Sequence, residues 1–470
     1  MKKDTVSALL RRALSRKGAW PAQLMLWLIS CAVFYVFAMS ARYAMIDEFA
    51  AYGVERMVAL TARVFTAVYA LTLAAALSFS RRTSFGVQAL AAIVTGAVML
   101  GKISLLDYVS DDYTIFLSDW IYSYQQMTVR QGLGTYIGSD YSPPYLYLML
   151  AISRVSNYPW QYLVKAISIL ADAALAYAVT KLCGLRVKGE VTRLVVFTGV
   201  TLLPTVVLNG AYWGQCDAIY TSLCLLALYC GLTRRSARCM ALFGAALSFK
   251  LQTVFFLPAL LPLWLREDVK LRHLPLIPAA YMAMMVPALW GGKSLHHVLT
   301  VYLTQAGNYN FITVNAPSLY QFLPSGVGAS TLYGMFSGMA MALGMAMLLA
   351  ACALVCARRE RLSQDGVMLF AVLVLAGVPF FLPKMHERYT FGADVLSVAL
   401  AANDRRRIAL PLLFGFASYV CYTAGLPGES LMELKWATMI QMTGIALTAA
   451  ALWRSLQDEG EEPLTAEVKA

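Results

Sequence analysis

Long apolar runs separated by short polar breaks dominate the chain. They can be drawn at about 22–44, 57–79, 86–106, 160–183, 192–209, 213–233, 274–290, 333–357, 366–382, 389–402, 408–425 and 433–454. A helix needs roughly 17–25 apolar residues to cross a bilayer. The pattern therefore predicts an all-α polytopic membrane bundle of about 12–14 transmembrane helices. Three stretches break the rhythm. Residues 145–156 are too short to cross, 389–402 are also short, and 238–264 are long but broken near Lys250.

Composition removes the competing classes. The 470 residues are 59% hydrophobic and only 14% charged, against about 25% charged in a soluble protein. A cytosolic enzyme, a disordered chain and a secreted disulfide scaffold are all excluded as readings. Nine Cys form no CxxC pair, and four His show no metal-ligand spacing.

The net charge of +12 does not point to nucleic acid, because the basic residues sit in short clusters between apolar runs. These clusters fall at 2–17, Arg81 and Arg82, 181–193, 234–238, 266–272, 358–361 and 405–407. The positive-inside rule puts them all on the cytoplasmic face. That parity requires 145–156 to lie at the outer interface and 238–264 to be a hairpin of two short helices. It predicts about twelve full crossings plus the hairpin, with both termini cytoplasmic. The first run reads as an uncleaved anchor rather than a signal peptide, and 455–470 as a disordered polar tail. On this topology Cys216 is expected to react with an impermeant thiol reagent from outside, and Cys183 and Cys239 are not.

Five polar constellations then fall on the exterior face. The first is Ser110, Asp111, Asp112 and Tyr113, followed by Phe116 and Trp120, in a long loop over 107–144. A carboxylate between apolar walls can act as a general base or hold a divalent cation. The second is Asp140, Tyr141, Ser142, Pro143, Pro144, Tyr145, Leu146 and Tyr147, where two prolines fix an extended lead-in to a helix. The third runs over 209–217. Trp213 suits an interfacial belt, while Gln215 and Asp217 either cap a helix or line a polar cavity. The fourth is Lys250, Leu251 and Gln252 at the hairpin tip, where the ammonium meets a phosphate or snorkels to the surface. The fifth is Lys384, Met385, His386, Glu387, Arg388 and Tyr389. Cations there run against the inside bias, and a phosphate ligand would explain them. The loop with His296, His297, Asn308 and Asn310 is a weaker signal.

In combination these residues resemble the GT-C superfamily of membrane glycosyltransferases, in the bacterial mannosyltransferase-like branch related to the GPI-anchor second mannosyltransferase. The resemblance runs in order from about 100 to 390. Lys102 stands late in a transmembrane helix, and Asp111, Asp112, Tyr113, Phe116, Leu117 and Trp120 follow it. Next come the Asp140 to Leu148 stretch, Trp213, Gly214, Gln215 and Asp217, then Lys250 with Gln252, and last the Lys384 to Tyr389 run. The resemblance departs at Leu251, where the family has proline, at the doubled Asp111–Asp112, and in two extra leading helices. It implies a segment 1–85 with those two helices, a catalytic core 86–402, C-terminal helices 403–454 and a tail 455–470.

The resemblance also implies chemistry. A polyprenyl-phosphate sugar donor gives up a mannose-like hexose to an exterior acceptor hydroxyl with inversion. Spacing to Phe116 and Trp120 favours Asp112 over Asp111 as the base. Lys250, Lys384, His386 and Arg388 are the candidate phosphate partners. Gln215, Asp217, Glu387, Trp213 and Tyr141 are candidate substrate contacts. Metal dependence stays open: Asp111 and Asp112 permit a divalent cation without requiring one, and no other cofactor is implied. The acceptor is a glycan, a lipid or a protein. The rivals are a transporter or flippase and a non-catalytic lipid-binding scaffold. Against the transporter, the ionic residues cluster at one face rather than at the midplane, and no inverted repeat is visible.

Overall fold

Hydropathy alone accounts for most of the helices seen. In the computed structural model, residues 20–44, 54–307, 310–324, 326–426 and 428–457 are described. The basic cluster at 2–17, Asn308 and all but the first residues of the 455–470 tail lie outside them. Helix makes up 78% of the described residues, and the strands among them are the two-residue pair Thr313–Val314 and Met385–His386. The fold class is therefore all-α and polytopic.

Nine helices among the described residues are long and apolar enough to cross a membrane. Each coincides with one of the twelve predicted runs. The other three runs differ for visible reasons. The 192–209 run is a helix pair, Glu190–Leu202 and Pro204–Trp213, bent by 53° at the break before Pro204. The 213–233 and 389–402 runs are the shorter helices Asp217–Leu232 and Phe391–Asn403.

The described residues fall into two compact units. The first comprises Met1–Leu226, Gly244–Leu251 and Pro278–Asn308. In it the two extra leading helices, Trp20–Ala44 and Val54–Leu77, share a core with Phe85–Ile103 and Trp160–Cys183, built on Phe34, Phe65, Tyr69, Leu73 and Ile169. Phe34 and Tyr69 stack at 4.4 Å. The stretch over 107–144 is not an open loop. It holds a π-turn at Tyr113–Leu117 and the short helices Ser118–Gln125 and Val129–Gly134. Thr128 and Gln131 close the second helix in a reciprocal capping box.

The helix Pro143–Ile152 has only ten residues, about 15 Å, which is half a hydrocarbon core. It fits the expectation that 145–156 does not cross. Ser142 leads in extended, and the prolines occupy the first turn, where a missing N–H costs nothing. Trp120, Tyr124, Tyr145, Met149 and Cys216 pack together here. Cys216 is only 2% exposed, so the expected labelling of that thiol from outside is corrected: packing shields it whichever side it faces. Trp213 is buried as well, not held in an interfacial belt.

The second unit comprises Ala227–Phe243, Gln252–Ile277 and Tyr309–Ala470. Its centre is the helix Gln364–Phe381, buried along almost its full length, with Ala329–Ala357, Phe391–Asn403 and Leu434–Ser455 packed on it. The predicted hairpin over 238–264, whose tip Gly244–Leu251 belongs to the first unit, starts with Ser236–Phe249, breaks at Lys250, and continues as 3-10 and α turns to Leu265. Its ends are tied together. Ser236 Oγ accepts the Lys270 N–H at 2.8 Å, and Asp268 pairs with Arg234 and Arg266.

Basic clusters meet at one end in each unit. In the first, the Arg82 N–H donates to Glu190 at 2.7 Å, joining the 81–82 and 181–193 clusters. In the second, Arg266 donates to the Leu362 carbonyl, Arg407 pairs with Asp365 at 2.9 Å, and Arg361 donates to the Gln457 carbonyl. The clusters that were grouped from charge alone are thus neighbours within their units.

Candidate functional site

In the first unit the site grows from two unusual turns. The π-turn Tyr113–Leu117 follows Asp112, and a second, Leu208–Trp213, precedes Gly214. Such turns widen a helix locally and recur at functional sites. Gly214 ends the second turn at φ +82, a left-handed conformation that costs other residues about 1–2 kcal/mol. It lets the Gln215 N–H turn back to the Asn209 carbonyl at 2.9 Å. Gly214→Ala is therefore expected to destabilise the folded protein by about 1–2 kcal/mol, read as a lower melting temperature in detergent.

Once the chain has turned, Gln215 and Asp217 reach different partners. Gln215 Nε2 donates to Asp112 Oδ2 at 2.5 Å, across 103 residues of sequence. Asp217 accepts from Lys250 Nζ on one oxygen and from Asn209 Nδ2, at 2.8 Å, on the other. Both Asp217 and Lys250 are buried. Lys250 Nζ also lies 5.9 Å from the ring centres of Tyr141 and Tyr220. Tyr141 in turn packs against Trp120 at 5.5 Å. Thus Asp112, Gln215, Asp217, Lys250 and Tyr141, drawn from four separate motifs, form one connected set. Trp213 joins it through its backbone, whose carbonyl accepts from Ser110 Oγ at 3.2 Å. Asp111 is exposed, whereas Asp112 is half-buried.

Below this set lie charges whose role the sequence did not disclose. Lys102 Nζ pairs with Asp172 Oδ2 at 2.6 Å, both buried. Asp172 presses so closely on Gly210 that a Cβ there would stand 2.5 Å from a carboxylate oxygen. Lys165 donates to the carbonyls of Leu105 and Tyr108, each at 2.7 Å, closing the end of the chain leaving Phe85–Ile103. Arg42 grips Asp107 with two bonds, at 2.8 and 3.1 Å, and Tyr162 adds a third. Burial pushes the Asp107 carboxyl up, but the hydrogen bonds from Arg42 and Tyr162 and the charges of Arg42 and Lys165 outweigh it. The carboxyl sits below its ordinary value. Lys165 and Asp172 were visible as charges inside the apolar run 160–183, and that signal marks function by default.

No family model matches the chain, and no curated protein matches it.

In the second unit the Lys384 to Tyr389 run builds its own constellation. Lys384 adopts φ +64 and its N–H donates to the Ile312 carbonyl at 3.2 Å. Met385 and His386 then pair in parallel with Thr313 and Val314, and Asn315 bridges to His386. Exposure alternates along the run. Met385 and Glu387 are buried, while Lys384, His386 and Arg388 are half-buried. Only Met385 and His386 are extended; Lys384 lies in a left-handed turn before them and Arg388 in a turn after them. Glu387 lies 3.6 Å from Arg388 and packs on Gly425. Lys384 Nζ stands 5.0 Å over the Tyr333 ring. Deeper in, Asp394 accepts from Ser418 at 3.0 Å, which contacts Thr390.

Among the described residues no group of three or more His, Cys, Asp or Glu side chains is arranged to hold a metal ion. Asp111 and Asp112, the pair considered for a cation, have different surroundings, one open and one tied to Gln215.

Proposed function

We propose that the chain is a membrane glycosyltransferase that moves a mannose-like hexose from a polyprenyl-phosphate donor to an exterior acceptor hydroxyl, with inversion. The observation that carries this is the Gln215 bond to Asp112. It singles out one carboxylate of the acidic pair and aims it by a neutral donor, as a general base requires. The acceptor oxygen attacks the anomeric carbon while its proton passes to Asp112. The bond from that carbon to the phosphate oxygen breaks, and the phosphate keeps the electron pair. A phosphate leaving group needs cations more than it needs an acid. The sequence resemblance gives that role to Lys384, His386 and Arg388, and Glu387 lies beside Arg388. Lys250, engaged with Asp217, fixes the loop that carries Gln215. Tyr141 and the aromatics around Trp120 offer faces for sugar or lipid. Transfer of radiolabelled sugar from polyprenyl-phosphate-mannose or -glucose in proteoliposomes tests the proposal. Absence of transfer from a donor panel, with a folded protein, overturns it.

One observation favours a transporter or flippase instead. Asp172 stands halfway along its 24-residue helix, paired with Lys102, so ionic residues are not confined to one end of the bundle as the sequence suggested. Intramembrane ion pairs of this kind mark transport pathways in carriers. Flipping of lipid-linked sugar without transfer would select this alternative.

The orientation is a separate proposal, with the motif ends outside and the basic ends cytoplasmic. Asp111, exposed, and native Cys356, exposed beside the 358–361 cluster, are the probes. Asp111→Cys is expected to label with an impermeant thiol reagent on intact cells, and Cys356 only after permeabilisation. The reverse pattern inverts the topology.

A further inference from the structure

The second unit contains a cavity that sugar transfer leaves unused. It opens at the basic end, where the helix Ser236–Phe249 begins, and has a volume of about 550 Å3. Arg234, Arg235 and Arg238 line one side, and Lys270 and His273 the other. The inside bias of Lys and Arg explains how many cations are found at this end. It does not explain why two segments 34 residues apart converge on one cavity. Ser236 does: its buried hydroxyl takes the Lys270 N–H at 2.8 Å and lies 2.8 Å from His273 Nδ1.

The charge balance is one-sided. Among the described residues no acid lines the cavity; of the two acids just before Lys270, Glu267 is exposed and Asp268 is buried and already shared by Arg234 at 3.4 Å and Arg266 at 2.8 Å. Among the described residues no ion pair engages Arg235, Arg238 or Lys270. Arg234 also holds a left-handed backbone, φ +59, at the turn that presents the arginines, a conformation that persists only where its surroundings enforce it.

We propose that this cavity binds a phosphate group, carried by an anionic lipid headgroup or free in solution. Guanidinium forks match phosphate oxygens in pairs. The 14-residue helix Ser236–Phe249 starts at this cavity, with Ser236 and Ala237 in its lining, and helix N-termini favour anions. Basic pockets at the cytoplasmic ends of membrane helices suit lipid headgroups. The site stands whether or not the chain transfers sugar, since it shares no residue with that machinery.

The test titrates the purified full chain in neutral detergent with phosphatidylglycerol, with phosphatidylcholine and with inorganic phosphate, reading thermal unfolding. Phosphatidylglycerol is expected to raise the melting temperature and phosphatidylcholine is not. The exposed side chains of Arg235→Ala/Arg238→Ala/Lys270→Ala carry no ion pair, so that variant is expected to fold and to bind roughly 100-fold more weakly at low salt. Lys270→Glu alone serves if the triple variant does not fold. A response to phosphatidylglycerol alone assigns a lipid headgroup. An equal, competing response to inorganic phosphate assigns a soluble phosphate. No response of the native chain to either probe, or equal responses of native and variant chains, overturns the site.

Discussion

Asp112→Asn is expected to remove sugar transfer almost completely, by roughly 10²–10⁴-fold, the usual contribution of a positioned general base. The amide keeps an acceptor oxygen for Gln215 Nε2, which now donates at 2.5 Å, so the loop geometry and the melting temperature are expected to hold. Asp111→Asn, at an exposed carboxylate, is expected to stay close to native activity. The contrast is measured as initial rates with a polyprenyl-phosphate sugar in proteoliposomes. If Asp111→Asn is dead and Asp112→Asn is active, the base is Asp111. Full activity in both removes carboxylate base catalysis from the mechanism.

The largest stability effect is expected from Lys102→Met. It leaves Asp172 buried with a charge and no cation at 2.6 Å, and stranding one partner of a buried pair costs about 3–5 kcal/mol. Adding Asp172→Asn removes the stranded charge while keeping the side-chain shape beside Gly210. The double variant is expected to regain at least half of the lost stability, measured by thermal or SDS unfolding of the purified protein. A double variant as unstable as the single would mean that the pair matters for packing and not for charge balance. A stable double variant that still flips no lipid-linked sugar, beside a native chain that does, would give the pair a place in transport.

Periodicity and hydropathy were enough for the spanning helices, because a run such as 333–357 has no other stable place than a membrane helix. They were enough too for the break at Lys250 and the lead-in at Pro143 and Pro144. The helices Ser118–Gln125 and Val129–Gly134 were not legible, since short segments with aromatic and polar residues carry little periodic signal. The partners of intramembrane charges were hidden for a different reason. Lys102 and Asp172 stand 70 residues apart, and nothing in either apolar run names the other. Spacing already favoured Asp112 over Asp111, but its bond to Gln215 was hidden, as was the shielding of Cys216 by the aromatic cluster around Trp120. These are facts of tertiary packing, which a linear pattern does not contain.

The tied ends of the 236–270 hairpin set a depth. Its outgoing helix, Ser236–Phe249, has 14 residues and so reaches about 21 Å, against a hydrocarbon core of about 30 Å. Lys250 follows at once, so the ammonium that holds Asp217 stops short of the far headgroups. On the proposed function, a lipid-borne donor would reach the Asp112 and Gln215 loop that Lys250 fixes by sliding sideways and sinking, whereas a water-borne donor would have to leave its solvent. Bilayer thickness thereby becomes a control variable: thinner membranes bring the far headgroups down toward Lys250, and thicker ones lift them away.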